Sequence, residues 1–241
     1  MEGALADGSL TRLQEQLDTR GVINARGRRL VLVDAGPGGA AAYERAVMDR
    51  AELAVRADTW HDRFNVAAWC LFPQTKAALN AAHVADLDIA PGPARSRLRD
   101  ALTLFDEDGA VVAVADPRIE EAIRGFRWHE AFVDRRLTAE TRALCVPFGH
   151  ALMEKLLVPF PGLTAKALFV PVPAEFTAWP WSDRLACLDR ALSRMIGALR
   201  TPRDLAPLPV LGWPGWHPDN GDPAFYGNVQ VFRPGRTMRA R

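Results

Sequence analysis

Short apolar runs alternate with longer helical stretches along this chain of 241 residues. The predicted strands are residues 29–34, 110–114, 143–146 and 166–172. Between them, Trp60, Phe64 and Leu71 recur on one face of a predicted helix, and Pro73 opens an alanine-rich one. The alternation is irregular, which argues against repeated βαβ units. We therefore predict an α+β fold, with several helices packed on a small mixed or antiparallel sheet.

The strongest turn signal lies between two apolar runs, at residues 101–105 and 110–114. The tetrapeptide Asp-Glu-Asp-Gly at residues 106–109 separates them, and an Asp-Gly pair flanked by apolar runs is typical of a β-hairpin. We therefore predict a hairpin within the sheet. The spacing of the three carboxylates does not match a calcium-binding loop.

The amino-acid composition of the sequence changes after Thr201. Seven prolines lie between Pro202 and Pro234, mixed with tryptophan, tyrosine and phenylalanine. Prolines at this density exclude a long helix, whereas the aromatic side chains need burial. We expect residues 201–241 to wrap over the rest of the molecule. No linker or repeat interrupts the chain, so we expect residues 1–241 to form a single domain.

Composition excludes several classes of protein. With 49% hydrophobic residues the chain is not disordered, and 30 basic against 29 acidic side chains leave a net charge of +1. Proteins that bind nucleic acids rely on an excess of Lys and Arg, so we expect no nucleic-acid partner. We also expect no membrane partner, because no apolar run reaches the roughly 18 residues of a spanning helix.

The N-terminal residues and the cysteines indicate a compartment. Residues 1–20 carry four acidic side chains and no apolar core, which is unlike a signal peptide. Cys70, Cys145 and Cys187 are odd in number and widely spaced, as reduced core thiols would be. We predict a cytoplasmic protein. A small molecule is the partner class left open, and the oligomeric state is undetermined.

The densest group of protonatable side chains follows Trp60. His61 and Asn65 are one helical turn apart and so share a face beside the apolar stripe. Asp62 fits either a catalytic role or a capping box with Thr59, and His61 fits either a site or a structural hydrogen bond. We assign His61, Asp62 and Asn65 as catalytic candidates, and Trp60 as a residue that contacts substrate.

His150 and Glu154 repeat the one-turn spacing, as a metal-binding or acid/base pair would. The HExxH signature is absent, so a simple side-chain hydrogen bond is the alternative. If His61, His150 and Glu154 converge, they form a two-histidine carboxylate site for a divalent metal; otherwise no cofactor is implied. Arg99 and Asp100 are further substrate-binding candidates. The leading hypothesis is a polar cleft with hydrolytic or transfer chemistry.

Three other functions compete with this hypothesis. Gly36, Gly38 and Ala41 follow a predicted strand and precede a helix, like a loop that binds a nucleotide or S-adenosylmethionine. His83 and Asp88 match a short acyltransferase pattern in which aspartate holds a histidine base. In a non-catalytic binding or scaffold module, the aromatic C-terminal segment would instead pack against a partner or present a surface to it, especially through Trp213, Trp216 and Tyr226.

Longer motifs resemble a bacterial family catalogued as domain of unknown function 3025. They are WHD at residues 60–62, FPQTKAALN at 72–80, RDALTLFD at 99–106, FGHALMEK at 148–155, PGW at 214–216 and DPAFY at 222–226. The resemblance covers roughly residues 40–235 and implies that residues 1–35 are a variable N-terminal segment. It implies no activity, since the family has none established. Some members carry a lauroyl acyltransferase label that is unverified, and the spacing of His83 and Asp88 is a pattern from which such a label arises.

Overall fold

Helices and strands alternate in the computed structural model, which describes residues 3, 5, 9–56, 58–89 and 95–235. The helices are α1 Leu10–Arg20, α2 Ala40–Arg50, α3 Trp60–Leu71, α4 Pro73–Ile89, α5 Arg97–Asp108, α6 Pro117–Arg124, α7 Arg136–Arg142, α8 His150–Lys155 and α9 Trp181–Ile196. The strands are β1 Val31–Asp34, β2 Glu52–Val55, β3 Gly109–Val114, β4 Ala143–Pro147, β5 Thr164–Pro171 and β6 Ala206–Pro209. The fold class is α+β, as predicted.

The strands form two small sheets. β1 and β2 pair in parallel, and helix α2 connects them along the chain. The larger sheet has the order β4-β3-β5-β6 and is mixed. In it, β3 runs antiparallel to β4 and parallel to β5, and β5 runs antiparallel to β6. The prediction of a small mixed sheet is therefore confirmed.

The predicted hairpin is wrong. Residues 101–105 belong to helix α5, which ends immediately before Gly109 opens β3. Ser96 caps this helix with its hydroxyl group, and Leu102 and Phe105 lie fully buried on its inner face. Burial of that face stabilises the helix more than the Asp-Gly turn signal favours a hairpin. Strand β3 pairs instead with β4 and β5.

Strand β3 is buried along its whole length because both faces of the sheet are covered. Val111 and Ala113 face a core cluster shared with α4, α5 and α9. Val112 and Val114 face a second cluster that includes α6 and the C-terminal aromatics. This double burial explains why the strand lacks polar alternation. A third cluster joins α1 and the small sheet to α3.

Helix α4 is held at its start by a residue from α9. The carboxylate of Asp189, which is buried, accepts hydrogen bonds from Thr75 N at 2.8 Å and Gln74 N at 3.0 Å. These are two of the unpaired N–H groups of the first helical turn, so Asp189 acts as a cap from a distant element. The contact sets the position of Lys76, which follows.

Within residues 3, 5, 9–56, 58–89 and 95–235, no helix is both long and apolar enough to span a bilayer. The division into one domain, with a variable segment at residues 1–35 and a wrapping one at residues 201–241, stays a prediction.

Candidate functional site

Three helices bring four protonatable side chains together. Helix α3 supplies His61 in its first turn, α5 supplies Glu107 in its last turn, and α8 supplies His150 and Glu154. Helix α8 packs against both α3 and α5. The two histidine-bearing segments identified in the sequence therefore converge, and Glu107 joins them.

A close backbone approach places His150 beside Glu107. The N–H groups of Phe148 and Gly149 both donate to the carbonyl oxygen of Gly109, each at 2.9 Å. A Cβ atom on Gly149 would lie 2.2 Å from the Glu107 carbonyl oxygen. Only glycine fits in this space, because real Cβ atoms do not approach backbone atoms so closely. The junction between α5 and β3 is thus locked against the start of α8.

Three donor atoms of the cluster surround a single point. His61 Nε2 and His150 Nε2 are 3.0 Å apart, and Glu107 Oε2 lies 3.3 Å from His150 Nε2 and 3.9 Å from His61 Nε2. The nearest point equidistant from these atoms lies in their plane, about 2.0 Å from each, which matches the length of Zn–N and Zn–O bonds. The three side chains have the spacing of a metal-ligand set.

Glu154 contacts the opposite nitrogen of His61. Its Oε2 atom lies 3.1 Å from His61 Nδ1. With Nδ1–H donating a hydrogen bond to this carboxylate, the unprotonated Nε2 of His61 faces His150 and Glu107. The two imidazole rings meet edge to face, with centroids 4.4 Å apart.

Burial keeps His150 in the form that binds metals. The protein interior lowers the pKa of His150 to about 4, with Lys76 and His61 acting in the same direction and Asp106 opposing them. The ring is therefore neutral at pH 7. The pKa of Glu107 is raised by burial, partly offset by His61. His61, Glu107 and Glu154 are partly exposed, so solvent reaches the cluster.

Three consecutive carboxylates end helix α5, where the helix dipole disfavours negative charge. Two of them are paired with a lysine. Asp106 Oδ1 accepts from Lys76 Nζ at 2.5 Å, Asp108 Oδ1 accepts from Lys155 Nζ at 2.6 Å, and Glu107 faces the histidines. Burial would raise the pKa of Asp106, but the charge and hydrogen bond of Lys76, together with His150 and His83, outweigh it and leave the pKa lowered.

Asn65, predicted to be catalytic, belongs to a buried network next to the histidines. Its Oδ1 atom accepts from Lys76 Nζ at 2.9 Å, and its Nδ2 donates to the hydroxyl of Tyr43 at 2.8 Å. Because Lys76 also binds Asp106, it connects helix α3 to helix α5. The lysine thus links the two elements that carry His61 and Glu107.

Asp62 lies at the start of α3 and binds Arg56. Its carboxylate accepts from the Arg56 backbone N–H at 2.7 Å and from Arg56 Nε at 2.8 Å. Burial raises the pKa of Asp62, but these bonds outweigh it and leave the pKa lowered. Thr59 accepts from the Asp62 N–H at 3.4 Å, which is half of the expected capping box. Through these contacts Asp62 stabilises the N-terminus of helix α3.

The predicted substrate-binding residues make contacts outside the cluster. The Trp60 ring stacks on Phe64 with centroids 5.6 Å apart, and the guanidinium of Arg63 lies 5.1 Å from its centroid. Arg99 Nε lies 2.9 Å from Asp86 Oδ2. Asp100 Oδ1 lies 3.5 Å from Arg95 Nε.

The acyltransferase pattern does not form a histidine–aspartate pair. His83 and Asp88 both lie on α4, where five residues correspond to about 140° of rotation. Asp88 Oδ1 binds Arg45 Nη2 at 2.7 Å. His83 points instead into a polar cavity lined also by Asp106.

The glycine-rich turn has the local context of a nucleotide-binding loop. It connects β1 to α2, and β2 returns parallel to β1. Residues 36–41 are all exposed. A Cβ atom added to Gly36 or Gly39 would meet no other atom within 4 Å, so close packing does not require glycine there.

The sequence profile of the family described as "Protein of unknown function (DUF3025)" matches residues 29–236. The chain belongs to this family. The match covers every member of the histidine–carboxylate cluster of this DUF3025 protein. No curated protein and no solved structure matches the chain.

Sequence reasoning missed Glu107, Lys76 and Asp106. The available signal was the run of carboxylates at residues 106–108, which is unusual at a helix C-terminus because the dipole opposes it. That signal was hidden by the hairpin prediction, in which the same residues form an ordinary polar turn.

Proposed function

We propose that this DUF3025 protein is an enzyme that binds one divalent cation, zinc or a zinc-like ion, for hydrolytic or transfer chemistry. The ligands are His61 Nε2, His150 Nε2 and Glu107 Oε2. The observation that carries the proposal is that a point about 2.0 Å from all three atoms exists between them. Two imidazoles and one carboxylate are the donor set of many hydrolytic zinc sites.

The exposure of the cluster fits a catalytic rather than a structural cation. Three protein ligands leave a coordination position free, and partial exposure of His61 and Glu107 gives solvent access to it. A cation held there supplies a Lewis acid and lowers the pKa of a coordinated water. A structural site would instead be closed by a fourth protein ligand.

The proposal assigns Glu154 a different role from the one expected from the sequence. Because Glu154 contacts Nδ1 of His61, it lies on the far side of the ring from the shared point. It therefore orients His61 and raises its basicity as a carboxylate partner of a metal-bound histidine does. Glu107 takes the ligand position that had been expected for Glu154.

Metal titration of the purified full chain tests the proposal. We expect about one Zn²⁺ per chain, a rise in the unfolding temperature with zinc and a fall with chelator. His150→Ala should abolish the response. His129→Ala is the matched control. His129 is exposed and lies outside the cluster, where its Nδ1 is 3.1 Å from Asp134 Oδ1. If neither zinc nor chelator changes the unfolding temperature of the wild-type protein, the proposal is wrong.

A metal-free version is favoured by one specific contact. The 3.1 Å contact of Glu154 with His61 Nδ1 also suits a general base, in which the carboxylate orients the imidazole. Turnover of activated esters that persists in excess chelator, but disappears in His61→Gln, would select this version. Turnover that chelator abolishes and zinc restores would select the metal site.

The remaining alternatives receive less support. Trp213 and Tyr226 are buried in the core cluster of the C-terminal segment, so they do not form the partner surface that a scaffold module needs. A nucleotide-dependent transferase is supported only by the strand–turn–helix context of residues 36–41. Thermal-shift measurements with nucleotides and S-adenosylmethionine test it, and an unchanged unfolding temperature would remove it.

A further inference from the structure

A second polar cavity lies among helices α2, α3, α4 and α5. Its polar lining comprises Tyr43, Glu44, Lys76, Asn80, His83 and Asp106. The free space inside is about that of one water molecule. None of the proposed metal ligands lines it. Nothing in the proposed metal chemistry uses this cavity.

One buried acceptor in the lining lacks a donor. Asn80 is 3% exposed, and its Nδ2 donates to the backbone carbonyl of Glu44 at 2.8 Å and to Glu44 Oε2 at 2.6 Å. These two acceptors fix the orientation of the amide. Within the described part of the chain, the buried Oδ1 has no hydrogen-bond partner. Such an atom is costly to bury unless a ligand donates to it.

Within the described part of the chain, the Glu44 carboxylate forms no ion pair, and Lys76 acts on it only at longer range. The nearest ammonium of the lining, Lys76, is engaged by Asp106 at 2.5 Å and by Asn65 at 2.9 Å. Burial raises the pKa of Glu44 to about 7, and Asn80 and Lys76 offset this only in part. Glu44 is partly exposed, but it lines the cavity, where an opposite charge would stabilise its carboxylate.

We propose that this cavity binds a small ammonium cation, either the free ion or the terminal ammonium group of an amine. Ammonium has the size of water and carries only donors, which suits Asn80 Oδ1 and the Glu44 carboxylate together. A water molecule would satisfy Asn80 but would leave Glu44 without an opposite charge. His83 adds no competing charge, because burial lowers its pKa to about 4. The inference does not depend on the metal site.

Thermal unfolding of the full chain in different chloride salts tests the site. At equal ionic strength, ammonium should raise the unfolding temperature by roughly 4–7 °C over sodium at twenty times its Kd. Tetramethylammonium has the same charge but exceeds the cavity, so it should behave like sodium. An ammonium effect shared by methylammonium identifies a terminal amino group as the ligand; an effect of ammonium alone identifies the free ion.

Variants connect the effect to the cavity. Glu44→Gln should be more stable than wild type in sodium, since it removes a partly desolvated charge, and should lose the ammonium response. Asn80→Leu should weaken the response as well. Glu15→Gln, the same change on an exposed site of α1, should keep it. The proposal is overturned if ammonium acts no better than sodium, or if Glu44→Gln responds like wild type.

Discussion

The backbone of Gly149 lies against the backbone of Glu107, so closely that a Cβ atom would be 2.2 Å from the Glu107 carbonyl oxygen. This contact joins the last turn of α5 to the residue that precedes α8. It therefore sets the separation of the backbones that carry two of the proposed metal ligands, Glu107 and His150. Backbone packing between Gly149 and Glu107 therefore positions the side chains of the site.

Replacement of that glycine should damage both stability and the site. Gly149→Ala forces the two backbones apart, and overpacking of this kind costs about 1–3 kcal/mol. Because the shift separates Glu107 from His150, zinc affinity should fall as well. Urea unfolding and zinc titration measure the two effects. Gly221→Ala is the control, since its added methyl group has nothing within 4 Å. Equal behaviour of the two variants would contradict the packing argument.

Loss of the charge on Glu154 should weaken metal binding without unfolding the protein. Glu154→Gln keeps the size of the side chain but removes the carboxylate that orients His61. Changes to such partners typically cost 10–100-fold in metal affinity, so we expect a loss of about 10-fold. Isothermal titration with zinc measures it. Glu140→Gln, which disturbs only a surface pair with Arg136, should bind zinc like wild type.

Breaking the ion pair of Lys76 with Asp106 should lower the free energy of unfolding more than breaking the more exposed pair of Lys155 with Asp108. Lys76 is 3% exposed, and Lys76→Met leaves the Asp106 carboxylate without its cation, at a cost of about 3 kcal/mol. Lys155→Met breaks a more exposed pair with Asp108 and should cost less than about 1 kcal/mol. Urea unfolding compares the two. The double variant Lys76→Met/Asp106→Leu should recover most of the loss; a double variant as unstable as the single one would show that charge pairing is not the cause.

The buried His83 should make stability depend on pH. Burial lowers its pKa from 6.5 to about 4, so between these values the unfolded chain binds a proton that the folded protein does not. The contribution of neutral His83 is complete above pH 6.5 and is lost as the pH falls toward 4. From pH 7 to pH 5 the wild type should therefore lose about 2 kcal/mol more than His83→Gln. Urea unfolding at both pH values checks this, and parallel losses would refute it.

Patterns within one helical turn were predictable from the sequence. His61 and Asn65, like His150 and Glu154, share helix faces because an α-helix repeats every 3.6 residues. The α+β class followed from the same local periodicities. The hairpin prediction failed for the opposite reason. Residues 101–105 fit either a strand or a helix, and only the cores against which Leu102 and Phe105 pack decide between them.

The sequence by itself determined which residues share a helix face, and the tertiary structure alone decided what each face meets. His61 lies 89 residues from His150 and 93 from Glu154, separations at which no local pattern carries information. Packing of α8 against α3 and α5 placed Glu107 at the shared point and Glu154 on the opposite nitrogen of His61. The same packing turned Asn65 toward Lys76. A cluster of this kind depends on contacts between distant elements, and these are set by burial and backbone approach rather than by spacing along the chain.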